Sequence, residues 1–272
     1  MRSIAKLMKD WQFTGPNGVT TAVELPHTWN ARDGQDGGND YWRGCCTYCT
    51  RFAAPVYDPA QQQVWLQFEG VNASAAVLLN GQQLCTHDGG YSTFRAEVTE
   101  LLQAENQLTV RVDNSVNDRV YPQKADFTFY GGIYRDVSLL VVNKNHIALG
   151  HFGDTGVKIT PALQENSADI QVETLVEGSG TVTVELLDAE GRTAAKGEGE
   201  NTFLHLDAPH LWNGIKDPYL YTCVVRLLQD GKPVDEVTTK VGLRSFSVDP
   251  KKGFFRQRQA LSPFTVCLAI RT

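Results

Sequence analysis

The 272 residues are 42% hydrophobic and 21% charged. These are ordinary globular proportions that exclude disordered and fibrous classes and allow two domains of roughly 100 to 150 residues. A net charge of −6, an isoelectric point near 5.5 and no cluster of Lys and Arg leave no electrostatic footprint for nucleic acid or an anionic membrane surface, so neither partner is expected.

In chain order, residues 1–12 carry Lys6 and Lys9 but no apolar run of the ~7 to 15 residues that a signal peptide needs, and no later stretch approaches ~18 apolar residues. A cytoplasmic location is therefore expected. Cys45, Cys46, Cys49, Cys85, Cys223 and Cys267 show no disulfide-framework spacing and are expected as reduced thiols. Cys46-x-x-Cys49 has half the spacing of a zinc site, but no second pair or His-x-His partner follows, and no metal is assigned.

Val23-Glu24-Leu25-Pro26-His27-Thr28-Trp29-Asn30 leads into a polar, glycine-rich loop at 31–40, and 41–52 alternates well enough for a strand. Val64-Trp65-Leu66-Gln67-Phe68 and Ala75-Ala76-Val77-Leu78-Leu79 read as further strands, the second closed by the hairpin signal Asn80-Gly81. Leu108-Thr109-Val110-Arg111-Val112 is another. Only the short segment 98–102 has a helical look, so an all-β sandwich or jelly roll is predicted.

The stretch 124–137 then sets Asp126 ahead of Phe127, Phe129 and Tyr130, a Gly131-Gly132 pair, and the start of a strand-like run from Ile133 to Val142. A carboxylate, an aromatic wall and a backbone able to turn sharply suit a polar ring ligand such as a sugar. They equally suit a hairpin loop in which Asp126 bonds nearby backbone and the rings join a core.

After 143–147 a second group of strands is predicted at 168–175, 180–187, 202–206, 220–228 and 234–241, with turns at 188–191 and Asp230-Gly231. That spacing fits an immunoglobulin-like sandwich. Trp212, Tyr219 and Tyr221 read as core and corner residues.

The string Asp126-Phe127 followed by Tyr130-Gly131-Gly132-Ile133-Tyr134-Arg135-Asp136-Val137 closely resembles the N-terminal domain of family 2 glycoside hydrolases, the β-galactosidase and β-glucuronidase family. Asn80-Gly81, Asp88-Gly89-Gly90-Tyr91-Ser92-Thr93-Phe94 and Val98-Thr99-Glu100-Leu101-Leu102 resemble its jelly-roll signature. Leu211-Trp212-Asn213, Asp217-Pro218-Tyr219-Leu220-Tyr221 and Val241-Gly242-Leu243-Arg244-Ser245-Phe246 resemble its second domain. The resemblance implies a galactose-binding-like jelly roll at 1–143, an immunoglobulin-like sandwich at 144–248 and, at 249–272, the start of a linker to a catalytic (β/α)₈ barrel that is not expected within this chain.

By the same resemblance, Asp126 accepts from sugar hydroxyls and Asn30 contacts the same sugar; for Asn30, a loop residue bonding its own backbone remains an equal alternative. Arg135 and Asp136 are expected as a structural pair. Both catalytic carboxylates belong to the barrel, so no catalytic residue, no metal ligand and no cofactor is expected in this chain. Full-length relatives are expected to use a monovalent cation near Asp126 in some members, and magnesium in the barrel. The sugar partner, a β-galactoside or related glycoside, is expected only together with a barrel, and a homo-oligomer stays open.

After Gly253-Phe254-Phe255 the family would continue toward the barrel with Asn-Gly-Lys-Pro and His-Gly-Val-x-Arg-His, whereas 256–272 match neither. Back-translation of Arg256-Gln257-Arg258-Gln259-Ala260 read one base later permits Ala-Asn-Gly-Lys-Pro. Phe264 to Thr272 read two bases later permit His-Gly-Val-Ser-Arg-His-Gln-Asp. A frameshifted tail that was never selected to fold is the expectation. Three functions follow: the non-catalytic N-terminal portion of a β-galactosidase-like hydrolase, a free-standing carbohydrate-binding module, or a structural and oligomerisation unit.

Overall fold

The computed structural model describes residues 1–31, 42–121, 129–251, 253–256 and 259–260. Among them every regular element is a strand except one 3-10 turn at Thr99–Leu101, the place of the expected helical segment. The chain divides into two units, one built from residues 2–144 with 149–154 and the other from 145–148 with the residues from 155 onward.

The first unit is the jelly roll. One antiparallel sheet runs in the order Thr20–Val23, Trp11–Thr14, Cys45–Ala53, Glu105–Asp113, Ser74–Leu79, Gln82–Asp88. The other runs Ser3–Lys6, Val137–Asn143, Gln62–Phe68, Phe94–Glu97. The core joins inward residues of both, among them Trp11, Tyr48, Val77 and Val110 from the first and Leu66, Phe68, Val137 and Leu139 from the second.

Register makes this core continuous. Val110 lies between Tyr48 and Val77 across three strands, and a slip of one residue would turn that whole row outward. Val137–Asn143 shows no alternation of apolar and polar residues because it is buried on both faces, Ser138 included. Val137, Leu139 and Val141 join the main core, while Leu140 and Val142 pack with Leu149 and Trp65, each fully buried side chain contributing roughly 1.5–3 kcal/mol. Arg95 Nη1 ties the segment carrying Leu149 to this unit through the carbonyls of Leu149 (2.9 Å) and Asp154 (2.7 Å).

The Asn80-Gly81 hairpin turn has φ of 52° and 83°, the positive pair that such turns require. Asn80 also donates through Nδ2 to Leu101 O and accepts Gln107 N–H at Oδ1 (2.9 Å), so the turn residue ties two further segments.

The second unit is the immunoglobulin-like sandwich. A three-stranded sheet (Val157–Leu163, Ser167–Thr174, Asn201–Asp207) and a four-stranded one (Thr193–Glu198, Thr181–Leu187, Tyr221–Gln229, Lys232–Val241) share a core that includes Ile170, Val172, Leu186, Val225 and Leu227. Two of these strands are absent from the sequence reading, and both are edges. Val157–Leu163 contains Pro161, which the missing N–H confines to such a place, and Thr193–Glu198 has no fully buried side chain to announce it.

Trp212 and Tyr221 are each 5% exposed, and Tyr221 Oη accepts His210 N–H (3.0 Å). They sit in the core and its corner as expected. Beyond them, Phe246–Asp249, Gly253–Arg256 and Gln259–Ala260 form a small meander, so the first residues of the tail pair as backbone. Residues 261–272, which hold the rest of the expected frameshift, lie outside the described residues.

Candidate functional site

The Gly131-Gly132 pair is where the jelly roll draws its loops together. Gly132–Ile133 pairs with His27–Thr28 on one side and Val71–Asn72 on the other. A Cβ on Gly132, whose φ is 137°, would strike His27 O and lie 2.9 Å from Tyr48 Oη. One on Gly131 would strike the Trp29 indole and lie 2.7 Å from Asn114 Nδ2. The pair was expected for its freedom to turn; close approach of neighbouring groups demands it as much.

Asn30 is fully buried behind this pair. Its Oδ1 accepts Gly131 N–H (2.7 Å) and Asn114 Nδ2 (3.2 Å), and its Nδ2 donates to Trp42 O (3.0 Å). Thr28 Oγ1 donates to Gly131 O (2.8 Å) and accepts Asn30 N–H (3.2 Å). Asn114 Oδ1 in turn accepts Gly44 N–H (2.9 Å). The side chain expected to touch sugar therefore holds four separate segments in register.

Beneath it, His27 Nδ1 and Tyr48 Oη are 2.7 Å apart. Burial lowers the His27 pKa and raises that of Tyr48, so both stay neutral near pH 7.

In front of the pair lies a cleft of about 360 Å³, at the lower end of the ~300–1,000 Å³ that hold small ligands. Among the described residues it is lined by Thr28, Ala31, Asn72, Tyr91, Tyr130 and Tyr134. Tyr91 and Tyr130 are exposed, at 55% and 41%. Tyr134 is half-buried, and its hydroxyl donates to Gly90 O. Burial, with Tyr91 beside it, pushes its phenol up to about 12 and keeps it a neutral donor.

Of the expected site residues, Asp126 and Phe127 lie outside the described residues. Phe129 is 9% exposed and belongs to the packing, so of the expected aromatic wall Tyr130 alone is seen on the cleft. Arg135 and Asp136 do not pair with each other. Asp136 binds Lys6 Nζ (2.6 Å), while Arg135 Nη1 donates to Tyr91 O (3.1 Å). Adjacent residues of an extended chain point to opposite sides, which separates them.

The same alternation separates the cysteines: Cys46 faces the core and Cys45 and Cys49 face away from it, so one ion cannot reach all three. Burial, with Cys45 and Asp113 nearby, pushes the Cys46 thiol up to about 12. Among the described residues no group of three His, Cys, Asp or Glu could hold a metal.

Two family descriptions match the chain: "Glycosyl hydrolase 2 galactose-binding domain-like" over residues 38–162 and "Glycosyl hydrolases family 2" over residues 151–244. The chain belongs to glycosyl hydrolase family 2. It is 34% identical to a β-glucuronidase of Bacteroides fragilis over 96% of its own length and 40% of that protein. It is 32% identical to the β-galactosidase BoGH2A of Bacteroides ovatus over 90% of its length and 32% of that protein.

A solved structure of an FMN-binding β-glucuronidase from Facaelibacterium prausnitzii L2-6 superposes with a TM-score of 0.89 at 34% identity, covering 96% of this chain and 42% of that one. The family 2 chain thus spans less than half the length of these relatives and corresponds to their non-catalytic N-terminal domains. No carboxylate lines the cleft among the described residues. What the cleft offers is aromatic surface, hydroxyls and an amide, which are groups for binding.

Sequence reasoning missed Asn72, Asn114, Tyr91 and Tyr134. Tyr91 had a signal, since Gly89-Gly90-Tyr91 stands in a quoted motif; nothing around Asn72 or Asn114 marked either one.

Proposed function

We propose that this chain is the sugar-contacting N-terminal portion of a retaining β-glucuronidase- or β-galactosidase-type hydrolase, acting with a barrel that supplies the chemistry. The observation that carries this reading is the match of 96% of the chain to about two-fifths of the Bacteroides fragilis relative. Retaining hydrolysis needs an acid/base and a nucleophile about 5 Å apart. In this reading both come from the barrel, and the jelly roll supplies loops.

Asp126 accepts from sugar hydroxyls, and Asn30 acts through Gly131, fixing the backbone four to five residues beyond Asp126 from behind. The relatives' names divide between glucuronide and galactoside, and the reading keeps both. It assigns no cofactor to this chain and involves neither nucleic acid nor membrane.

The test is to join the chain in frame to the remainder of the Bacteroides fragilis relative and measure kcat/KM for nitrophenyl β-glucuronide and β-galactoside with and without Asp126→Ala. Leaving sugar hydroxyls unpaired in a closed pocket costs about 2–4 kcal/mol, a loss of about 30- to 1,000-fold. An Asp126→Ala enzyme with near-normal kcat/KM refutes the assignment.

A further inference from the structure

Arg244 belongs to the motif 241–246, which the sugar-contacting reading leaves unused. It is half-buried, and its guanidinium carbon lies 4.6 Å from the centroid of the Trp212 ring and 5.9 Å from that of Phe246. Gly242 makes room for this stack, since a Cβ there would stand 3.1 Å from both Arg244 Nη1 and the Trp212 side chain. Among the described residues Arg244 makes no hydrogen bond and no ion pair. The rings hold the guanidinium plane, and its forked N–H donors are left for a partner outside the sandwich.

Apolar surface lies beside it. Phe246 and Val248, two apart on the strand Phe246–Asp249, share a face and are 40% and 71% exposed. Phe254 pairs with Val248 across the meander, its ring 5.4 Å from that of Phe246, and extends the face. Strands of two to four residues are marginal alone, so this face calls for cover.

Chemistry and position together select the cover. Aromatic residues with an arginine are the composition of interface centres, and a forked guanidinium matches a carboxylate. The patch lies on the meander that follows the sandwich, while the chain spans only 40% of the Bacteroides fragilis relative. A domain tethered shortly after the meander meets the patch at the high effective concentration that a short linker gives.

We infer that Arg244, Phe246 and Val248 form the docking surface for the domain that follows in full-length family 2 relatives, with the stacked guanidinium binding a carboxylate of that domain. The identity of the partner rests on the hydrolase reading, but docking is read from melting and not from turnover.

The experiment makes the same substitutions in two proteins, the 272-residue chain and its in-frame fusion to the remainder of the Bacteroides fragilis relative, and follows both by calorimetry. Arg244→Gln should lower the Tm of the fusion by about 4 °C or more and that of the chain by less than about 1 °C, because the lost group has its partner only in the fusion. Val248, an exposed position, reads the sign of the partner's charge. Val248→Asp should lower the fusion's Tm more than Val248→Lys does, since like charges repel across the contact.

Equal Arg244→Gln shifts in both proteins place the role of Arg244 within the sandwich and overturn the docking. No shift in either protein, or equal effects of Asp and Lys at position 248, overturns it as well. So does a chain that dimerises in the analytical ultracentrifuge and becomes monomeric with Arg244→Gln, which makes a second copy the occupant. A fusion inert toward both nitrophenyl glycosides whose Tm still depends on Arg244 removes the hydrolase reading alone. An active fusion whose Tm ignores Arg244 removes the docking surface alone.

Discussion

Replacing Asn30 by Ala removes three hydrogen bonds to described residues at once: the acceptor for Gly131 N–H, the acceptor for Asn114 Nδ2 and the donor to Trp42 O. The residue is fully buried, so water does not take over these roles without opening the site. Net values of ~0.5–1.5 kcal/mol per bond, raised where a buried partner is orphaned, put the loss at about 2–4 kcal/mol. At about 2–4 °C per kcal/mol for a domain of this size, the first unit should melt roughly 5–15 °C lower.

Tryptophan fluorescence isolates the transition, because Trp11, Trp29, Trp42 and Trp65 lie in the first unit and Trp212 alone lies in the second. Asn30→Asp is the informative companion. It keeps Oδ1 but sets a carboxylate against the Trp42 carbonyl, and burial and repulsion raise its folded pKa above the ~3.9 of the unfolded chain. A raised pKa contributes stability below the unfolded value and loses it as pH rises through the folded one, so this variant should lie closer to the parent at acid pH than at neutral pH. An Asn30→Ala chain that melts within about 2 °C of the parent would refute the clamp.

Two further expectations concern other groups. Gly131→Ala drives a methyl into the Trp29 indole and should cost about 3 kcal/mol or prevent folding, whereas Gly81→Ala meets nothing within 4 Å and should cost only ~1–2 kcal/mol for its positive φ; equal melting temperatures would contradict the packing argument. In the second unit, the Asp169 carboxylate on His205 Nδ1 (2.6 Å), helped by Asp207, raises the His205 pKa. That stabilisation is complete below the ordinary value of ~6.5 and is lost as pH rises through the raised one, so an NMR titration should show a high midpoint that drops in Asp169→Asn, and an unmoved midpoint would dismiss the pair.

The strand pattern was legible wherever one face is buried and the other is not. Glu105–Asp113 and Ser167–Thr174 alternate cleanly, and Asn80-Gly81 marked its hairpin outright. Edge strands escaped because an edge needs no full apolar face, as Pro161 and the run Thr193–Glu198 show. The site was half legible. Residue type and motif brought Asn30 and the glycine pair forward, but whether an Asn faces ligand or backbone depends on which chain segments converge on it. Asn30 meets Gly131, a hundred and one positions away, and Asn114. Asn72 could not be singled out at all, since its place depends on Tyr130, 58 positions away, whose carbonyl it holds, and on Gly90, whose bare backbone packs against its side chain.

The central claim, that these domains hold sugar while the chemistry resides elsewhere, is tested most directly by the activity of the chain alone. Purified free of host glycosidases, it should hydrolyse neither nitrophenyl β-glucuronide nor nitrophenyl β-galactoside above the uncatalysed rate, because a retaining mechanism needs two carboxyl groups about 5 Å apart in one site. Joined to the remainder of the Bacteroides fragilis relative, it should hydrolyse at least one of them. Turnover by the chain alone, or a folded joined enzyme inert toward both substrates, would contradict the account.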